Sequence, residues 1–492
     1  MRKAVHKKKK KKQPHKIRIQ FCLRFWIFLS TLAWLGMNFW FHHYHNTNNE
    51  RRVQLQRQEQ KNDKTSIPNH DRQDTIIAAT PNKIAYAISI SSCNTTTTTL
   101  FDGAAVLQHS IRTKAAAASS SKYTNFDFVA LVHPDAVECC RYDLETLLGF
   151  RLLVRDVPVE VTEIRGDYLR NNIEHNGCCG EKELLKLYSY TLTDYDLVVH
   201  LDLDVIVLQP LDSIFDLLLS SSSSPSSSWN DNHEKKNDLN TNIIINPNNN
   251  TIGLQWPLPT TTTTTSIDAA FTLDYAMVPP IRKYKPVQGG LLILKPSLAV
   301  FEALVSIVRE GDFQQHKGWG GIRVGPFYGA MTIQGLLSYY YYYYRLNQNN
   351  NDNKTDTETG TMMNIVELNR CQYNNMADAP RLQTLRRGLQ CVTGETNCED
   401  CRERPLDQIT SFHFTNCQKP WWCLSMNRNN ATKRICRGMH HEWNRLRYEL
   451  EQEWNVTSLY RKGNFESDHF YGHCRSRGQR GYIPLPKKKN PK

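Results

Sequence analysis

From Lys83 onward the apolar positions fall into short runs whose period switches between that of a strand and that of a helix. Residues 84–90, 126–132, 151–154 and 197–207 are dense apolar stretches of strand length. Between them, residues 101–112, 142–148 and 181–192 space their apolar side chains at helical intervals. Strands too apolar to leave a face in water, alternating with helices, predict βαβ units: an α/β fold with a mostly parallel sheet flanked by helices. A further strand is expected after Gln288-Gly289-Gly290, and another around Ser411-Phe412-His413. Trp443, Leu446, Leu450 and Trp454 recur at helical spacing and read as a packing stripe.

The pattern breaks in three places. Residues 42–82 are polar, without apolar periodicity, and read as a stem. Runs of Ser, Asn and Thr between about 220 and 266, and a polar stretch at about 345–362, have no packing chemistry and read as disordered insertions. The tyrosine run Tyr339-Tyr340-Tyr341-Tyr342-Tyr343-Tyr344 reads as a surface homopolymer rather than as acceptor tyrosines. One folded body, 83–474, is expected, with a basic tail at 475–492.

The formal charge of +13 resembles a nucleic-acid signal only until it is located. Residues 1–18 carry ten Lys and Arg, residues 475–492 carry seven, and neither segment has an acid. The body between is mildly acidic, so no polyanion groove, and no nucleic-acid partner, is expected. After the basic 1–18 tail, residues 25–41 carry no charge, and extending that apolar run back to Ile19 admits only Gln20 and Arg24. At about 1.5 Å per residue they can span a hydrocarbon core of about 30 Å. No small-residue cleavage site follows at Trp40-Phe41-His42. The expectation is a signal-anchor helix, hence a single-pass type II protein of the Golgi or ER membrane with its body in the lumen. Thirteen of the fourteen cysteines, and sequons at Asn94, Asn249, Asn353, Asn430 and Asn455, lie after that segment and agree with it. Thirteen is odd, so at least one thiol is free or pairs between chains. Zinc is the alternative use for Cys398 and Cys401, with Cys391, Cys417 and Cys423 nearby.

Asp202 and Asp204 carry the candidate chemistry. They follow Leu197-Val198-Val199-His200-Leu201, and in an extended backbone residues two apart share a face about 6–7 Å from one another. Carboxylates at the carboxyl end of a buried parallel strand stand where open α/β sheets keep ligands, and hard oxygens attract Mg²⁺ or Mn²⁺ that can hold a diphosphate. Read alone, the pair serves equally well as a strand cap. Gly289 and Gly290 suit a close backbone approach, or a bulge. A lone His413 is more often structural than a ligand, and Lys419 stands in a loop fixed by Pro420.

Taken together, Ala85–Ile90 (Ala-Tyr-Ala-Ile-Ser-Ile), 101–107, 186–215 with Asp202-Leu203-Asp204, Gln288-Gly289-Gly290, Gln334-Gly335 and His413 through Lys419-Pro420-Trp421 resemble the glycogenin-type glycosyltransferases, family 8, with a GT-A, Rossmann-like nucleotide-diphospho-sugar transferase fold. The resemblance covers about 83–215, 270–340 and 405–425. It implies a retaining transferase moving a hexose from a UDP-sugar to a lumenal glycan, protein or lipid, with Mn²⁺ (or Mg²⁺) held by Asp202, Asp204 and His413. It also implies that Lys419 and Lys186 meet the diphosphate and sugar, that Gln288 and Gly290 replace an Asn-x-Gly sugar contact, and that Gln334 stands near the anomeric carbon. The family has Asp before that glutamine where this chain has Ile333; Asp274 is the candidate substitute. That departure keeps an alternative open, a catalytically inactive sugar- or partner-binding member of the fold. A nucleotidyltransferase is a third possibility.

Overall fold

The computed structural model describes residues 82–93, 99–116, 121–220, 254–256, 267–275, 285–322, 324–325, 327–344, 364–384, 388–391, 398–423, 431–457, 472–476 and 478–487. Eight strands form its central sheet, in the order β3-β2-β1-β4-β8-β7-β9-β6. These are β1 (Ile84–Ile90), β2 (Phe126–Val132), β3 (Arg151–Val154), β4 (Leu197–Leu201), β6 (Leu254–Trp256), β7 (Ile267–Leu273), β8 (Val287–Leu294) and β9 (Asn364–Glu367). Pairing is parallel from β3 through β4 and between β7 and β9. It is antiparallel where β8 enters between β4 and β7, and at the β6 edge. The fold is therefore the expected α/β class, a mostly parallel sheet with helices on both faces.

Strand alternation sorts side chains between two cores. Ile84, Tyr86, Ile88 and Ile90 of β1, with Leu291 and Ile293 of β8, pack with α1 (Thr99–Ser110) through Ala104 and Leu107 and with α3 (Asp212–Ser220) through Ile214 and Phe215. Leu292 and Leu294, with Ala269 and Phe271 of β7, face α4 (Leu298–Glu310) and α5 (Ile333–Tyr339). Each fully buried Leu, Ile or Phe contributes about 1.5–3 kcal/mol of transfer free energy, and this repetition along eight strands holds the layers together. Helix α4 has sequence-encoded ends: Ser297 caps its first turn by accepting from the Val300 N–H, and Gly311 ends it at φ +68°. The run of periodicity at 142–148 is the last part of a longer element. Helix α2 (Pro134–Arg141) begins earlier, with His133 as N-cap and proline in its first turn, and continues as a wider helical turn, Tyr142–Leu147.

Several expectations are corrected. The chain from Leu197 does not run as one strand to Val207. It breaks after Leu201, turns through Asp202 and Asp204, and resumes as β5 (Val205–Val207), which leaves the main sheet and pairs antiparallel with β10 (Ser411–His413). The tyrosine run is core, not surface: Tyr340, Tyr341 and Tyr342 are buried, because the run extends α5 by a further turn onto the β7 face. Tyr341 shares a 2.7 Å hydroxyl–hydroxyl hydrogen bond with buried Tyr190. Leu254–Trp256, within the stretch read as an insertion, supplies edge strand β6.

The C-x-x-C is not a zinc site, since Cys398 pairs with Cys391 and Cys401 with Cys371. Cys417–Cys436, Cys423–Cys474 and Cys93–Cys139 are the other disulfides among the described residues. The Trp443, Leu446 and Leu450 stripe is buried on α6 (Ala431–Glu453), as packing.

No helix among the described residues is long and apolar enough to cross a membrane. This corrects the expectation of a membrane partner through an N-terminal helix, and with it the Golgi or ER type II placement. Residues 19–41, on which both rested, lie outside the described residues.

Candidate active site

The turn that follows β4 is clamped from two sides. The Asp202 N–H donates to Gly290 O on β8 at 3.1 Å, and the Val205 N–H closes the turn onto Asp202 O at 3.1 Å. On the other side β10 pairs with β5, with His413 opposite Val205, and the Phe414 N–H donates to Asp204 O at 2.9 Å. A strand more than 200 residues downstream thus delivers His413 to the acidic turn.

Asp202, Asp204 and His413 converge: one ligand-type atom from each lies within 4.8 Å of the others. His413 Nε2 stands 3.4 Å from Asp204 Oδ1. Gly290 is what lets the imidazole in, because a Cβ there would lie 2.5 Å from His413 Cε1. The two carboxylates meet through the turn rather than through strand alternation.

Two lysines flank the acids. Lys186, buried on the 3₁₀ segment Gly180–Thr191, donates to Asp202 Oδ1 at 2.6 Å and to Gly289 O at 2.9 Å. Burial alone would lower its pKa, but Asp202 and Glu183 outweigh it and hold the ammonium above its ordinary range. Lys419 forms an ion pair with Asp204 Oδ2. Burial alone would raise the Asp204 pKa; His413 and Lys419 reverse that and hold the carboxyl well below its ordinary range. Lys419 lies between Cys417 and Cys423, both disulfide-bonded, so its loop is fixed at each end.

Asp204 and Lys419 line a cleft of about 520 Å³ with Ser92, Cys179, Leu203 and Trp421. Gln334, the second residue of α5, comes to the same side of Gly289 as Lys186. An ideal Cβ on Gly289 would lie 3.2 Å from Ile333 Cγ2, 3.4 Å from Gln334 Cγ and 3.5 Å from Lys186 Nζ. Ile333, where the resemblance implies a carboxylate, thus brings apolar carbon to Gly289. Gln288 is buried, and its Oε1 accepts from the Gly290 N–H at 2.5 Å and from Asn374 Nδ2 at 3.1 Å. Asp274 is buried at the end of β7, one strand beyond β8, where its N–H bonds Pro286 O.

Two supporting residues escaped the sequence reading. Asn374, at φ +62°, bridges Thr272 Oγ1 and Gln288 Oε1. Asn375 O accepts from the His413 N–H at 2.9 Å, and Asn375 Nδ2 spans to Cys371 O and Cys401 O. Adjacent asparagines were the available signal, since Asn tolerates left-handed backbone and bonds main chain.

A divalent cation fits the triad. Two carboxylates and an imidazole suit Mn²⁺ or Mg²⁺ better than a soft metal, and His413 Nδ1 is buried without a hydrogen-bond partner among the described residues.

No protein-family model matches the chain, and no curated protein matches it. Among solved structures it is similar to the WbbM bifunctional glycosyltransferase in its apo form, at 11% identity, over 70% of this chain and 48% of that one, TM-score 0.32. It thus spans about half the WbbM chain. It is also similar to apo mouse xyloside xylosyltransferase 1, at 11% identity over 68% and 98%, TM-score 0.34. The galactosyltransferase LgtC with donor and acceptor sugar analogues is a third, at 11% identity over 74% and 94%, TM-score 0.30. At that identity no residue's role transfers from any of them.

Proposed function

We propose that the protein transfers a hexose from a UDP-sugar to a glycan, protein or lipid acceptor with retention of configuration, dependent on Mn²⁺ or Mg²⁺. The observation that carries this reading is the convergence of Asp202, Asp204 and His413, flanked by Lys186 and Lys419, beside a cleft of nucleotide size. Asp202, Asp204 and His413 would hold the cation, which when bound supplies positive charge against the diphosphate. Lys419, already poised on the acidic turn, compensates the charge that develops as UDP leaves, and Lys186 does the same from the sugar side.

In the reaction the bond from the anomeric carbon to the diphosphate oxygen breaks. The acceptor oxygen bonds on the face it vacates, and the acceptor's proton leaves with the diphosphate. Gln288 and Gly290 shape the sugar's seat on β8. Gln334, beside Gly289, is the amide assigned to the anomeric carbon, and Asp274 is the carboxylate nearest in role to the one replaced by Ile333.

A second reading, sugar or partner binding without transfer, draws on Ile333 standing before Gln334 where the resemblance implies a carboxylate. Purified protein is tested against a panel of UDP-sugars for Mn²⁺-dependent release of UDP. Release that is lost in Asp204→Ala supports transfer. Turnover unchanged in that variant overturns the metal role. UDP-dependent thermal stabilisation with no release from any donor favours the second reading, and pyrophosphate as product would indicate nucleotidyl transfer instead.

A further inference from the structure

Besides the acidic turn, one other cluster of described residues gathers ligand-type atoms within 4.8 Å: Cys178, Cys179 and Glu183. The proposed transfer uses none of them. Glu183 is already committed, its Oε1 accepting from the Cys178 N–H at 2.8 Å and its Oε2 from the Thr332 hydroxyl at 2.5 Å. That leaves two adjacent, exposed thiols outside the assigned disulfides. Their Sγ atoms stand 2.6 Å apart, about half an ångström beyond the ~2.05 Å of a disulfide bond.

The turn that presents them is built for one shape. Gly177 and Gly180, on either side of the pair, hold φ +70° and +61°, and a Cβ at either would lie within 2.5 Å of Glu183 or Glu174. The same turn is tied to the start of α5. Asn176 Oδ1 accepts from the Met331 N–H at 3.0 Å, and Glu183 holds Thr332, two residues before Gln334. Cys179 meanwhile lines the cleft with Asp204 and Lys419.

We propose that Cys178 and Cys179 are a reversible vicinal dithiol–disulfide couple on the rim of the cleft, and that its redox state sets the cleft's affinity for the nucleoside diphosphate. The affinity half rests on the proposed function. Oxidation proceeds by exchange with a low-molecular-weight disulfide, RSSR. The Cys179 thiolate attacks one of its sulfurs and releases RS⁻; the Cys178 thiolate then attacks Cys179 Sγ in the mixed disulfide and releases the second RS⁻. The cysteines lose two electrons and two protons, and RSSR is reduced to two RSH. Hydrogen bonding from Cys178 draws the Cys179 thiol down to about 7 against burial, which favours it as the attacking sulfur. In the dithiol form two non-bonded sulfurs must move apart, and the cleft-lining Cys179 shifts.

The full chain is equilibrated in oxidised glutathione, or in a mildly reducing glutathione buffer, then alkylated and mapped by peptide mass spectrometry. The oxidised peptide should carry no alkyl group at Cys178 and Cys179 and be two hydrogens lighter. The reduced one should carry both alkyl groups, with the other disulfides intact. Calorimetry with UDP and Mn²⁺ should show binding weaker in the reduced form by about three- to ten-fold, and a folded Cys178→Ser, Cys179→Ser variant should be indifferent to the buffer. Alkylation of both thiols after oxidised glutathione overturns the couple. Equal UDP affinity in both buffers overturns its coupling to the cleft. If no form binds UDP, the variant included, the donor-site reading fails and takes the affinity half with it, while the peptide map still reports the couple independently.

Discussion

Gly290→Ala perturbs the acidic cluster without replacing any candidate metal ligand. The added Cβ would lie 2.5 Å from His413 Cε1, 2.6 Å from His413 Nδ1 and 2.9 Å from Gln288 Oε1. Carbon contacts are most favourable at about 3.5–4.0 Å, so the imidazole must withdraw by about 1 Å. Gly290 does not hold a left-handed φ, so the cost is steric rather than conformational. Overpacking of this kind costs about 1–3 kcal/mol of stability. The larger effect should fall on the cation. His413 is anchored by its strand pairing with Val205 and cannot follow its ring outward, so one of three ligands is displaced. Disturbing a ligand's orientation costs about 10–100-fold in metal affinity. Titration of Mn²⁺ in the presence of UDP, followed by calorimetry, reads this directly, with circular dichroism as the check on folding. His413→Ala in the Gly290→Ala background should recover stability, because the clash is gone, yet leave metal binding as weak as in either single variant. That non-additivity is the signature of contact between the two positions. A folded Gly290→Ala protein that binds Mn²⁺ and UDP as tightly as the parent would refute the assignment of His413 as a ligand.

Other perturbations have calculable outcomes. Lys419→Ala removes a cation from the acidic turn and should weaken UDP binding by about 10–100-fold, the worth of a charge-assisted hydrogen bond; Mn²⁺ alone should bind no more weakly, since a competitor for Asp204 is lost. Tyr341→Phe should cost about 1 kcal/mol by orphaning the buried Tyr190 hydroxyl, and Tyr341→Ala about 3–5 kcal/mol, both measured by urea denaturation; near-zero cost for the latter would return the tyrosine run to the surface. Burial lowers the His440 pKa to about 4, against a hydrogen bond to Gln418 O that raises it. The unfolded chain therefore binds the proton first, and this contribution to stability is complete above pH about 6.5 and lost as pH falls towards 4. Near pH 4.5 the loss is about 2–3 kcal/mol, so His440→Gln should lose that much less stability than the parent between pH 7 and 4.5; identical pH profiles would refute it.

The α/β class was legible because strands buried on both faces must be apolar throughout, and the chain shows such runs at βαβ spacing. Val198, Val199 and Leu201 are as buried as their pattern demanded. Asp202 and Asp204 could be singled out from residue type and spacing, because paired hard carboxylates can bind a cation, whereas His413, Lys186 and Lys419 came into view as site residues only through the family resemblance. Local pattern misled where a tertiary partner decided the outcome. Nothing within residues 197–207 says that the strand must break at Asp202; the break exists because β8 takes the Asp202 N–H and β10 takes Val205–Val207. Nothing in a run of six tyrosines says that three are core, since tyrosine is equally at home at a surface; the apolar face of β7 decided it. Cysteine spacing permitted zinc or several pairings, and only the approach of Cys371 to Cys401 and of Cys391 to Cys398 chose among them.

Residue chemistry and periodicity are local properties, and the sequence by itself determined as much as is local: the strongly periodic strands and helices, and which side chains carry charge or ligand atoms. Convergence is not local. That His413 meets Asp204, and that Gly290 leaves room for it, depends on strands far apart in the chain being hydrogen-bonded side by side, which only the tertiary structure could decide.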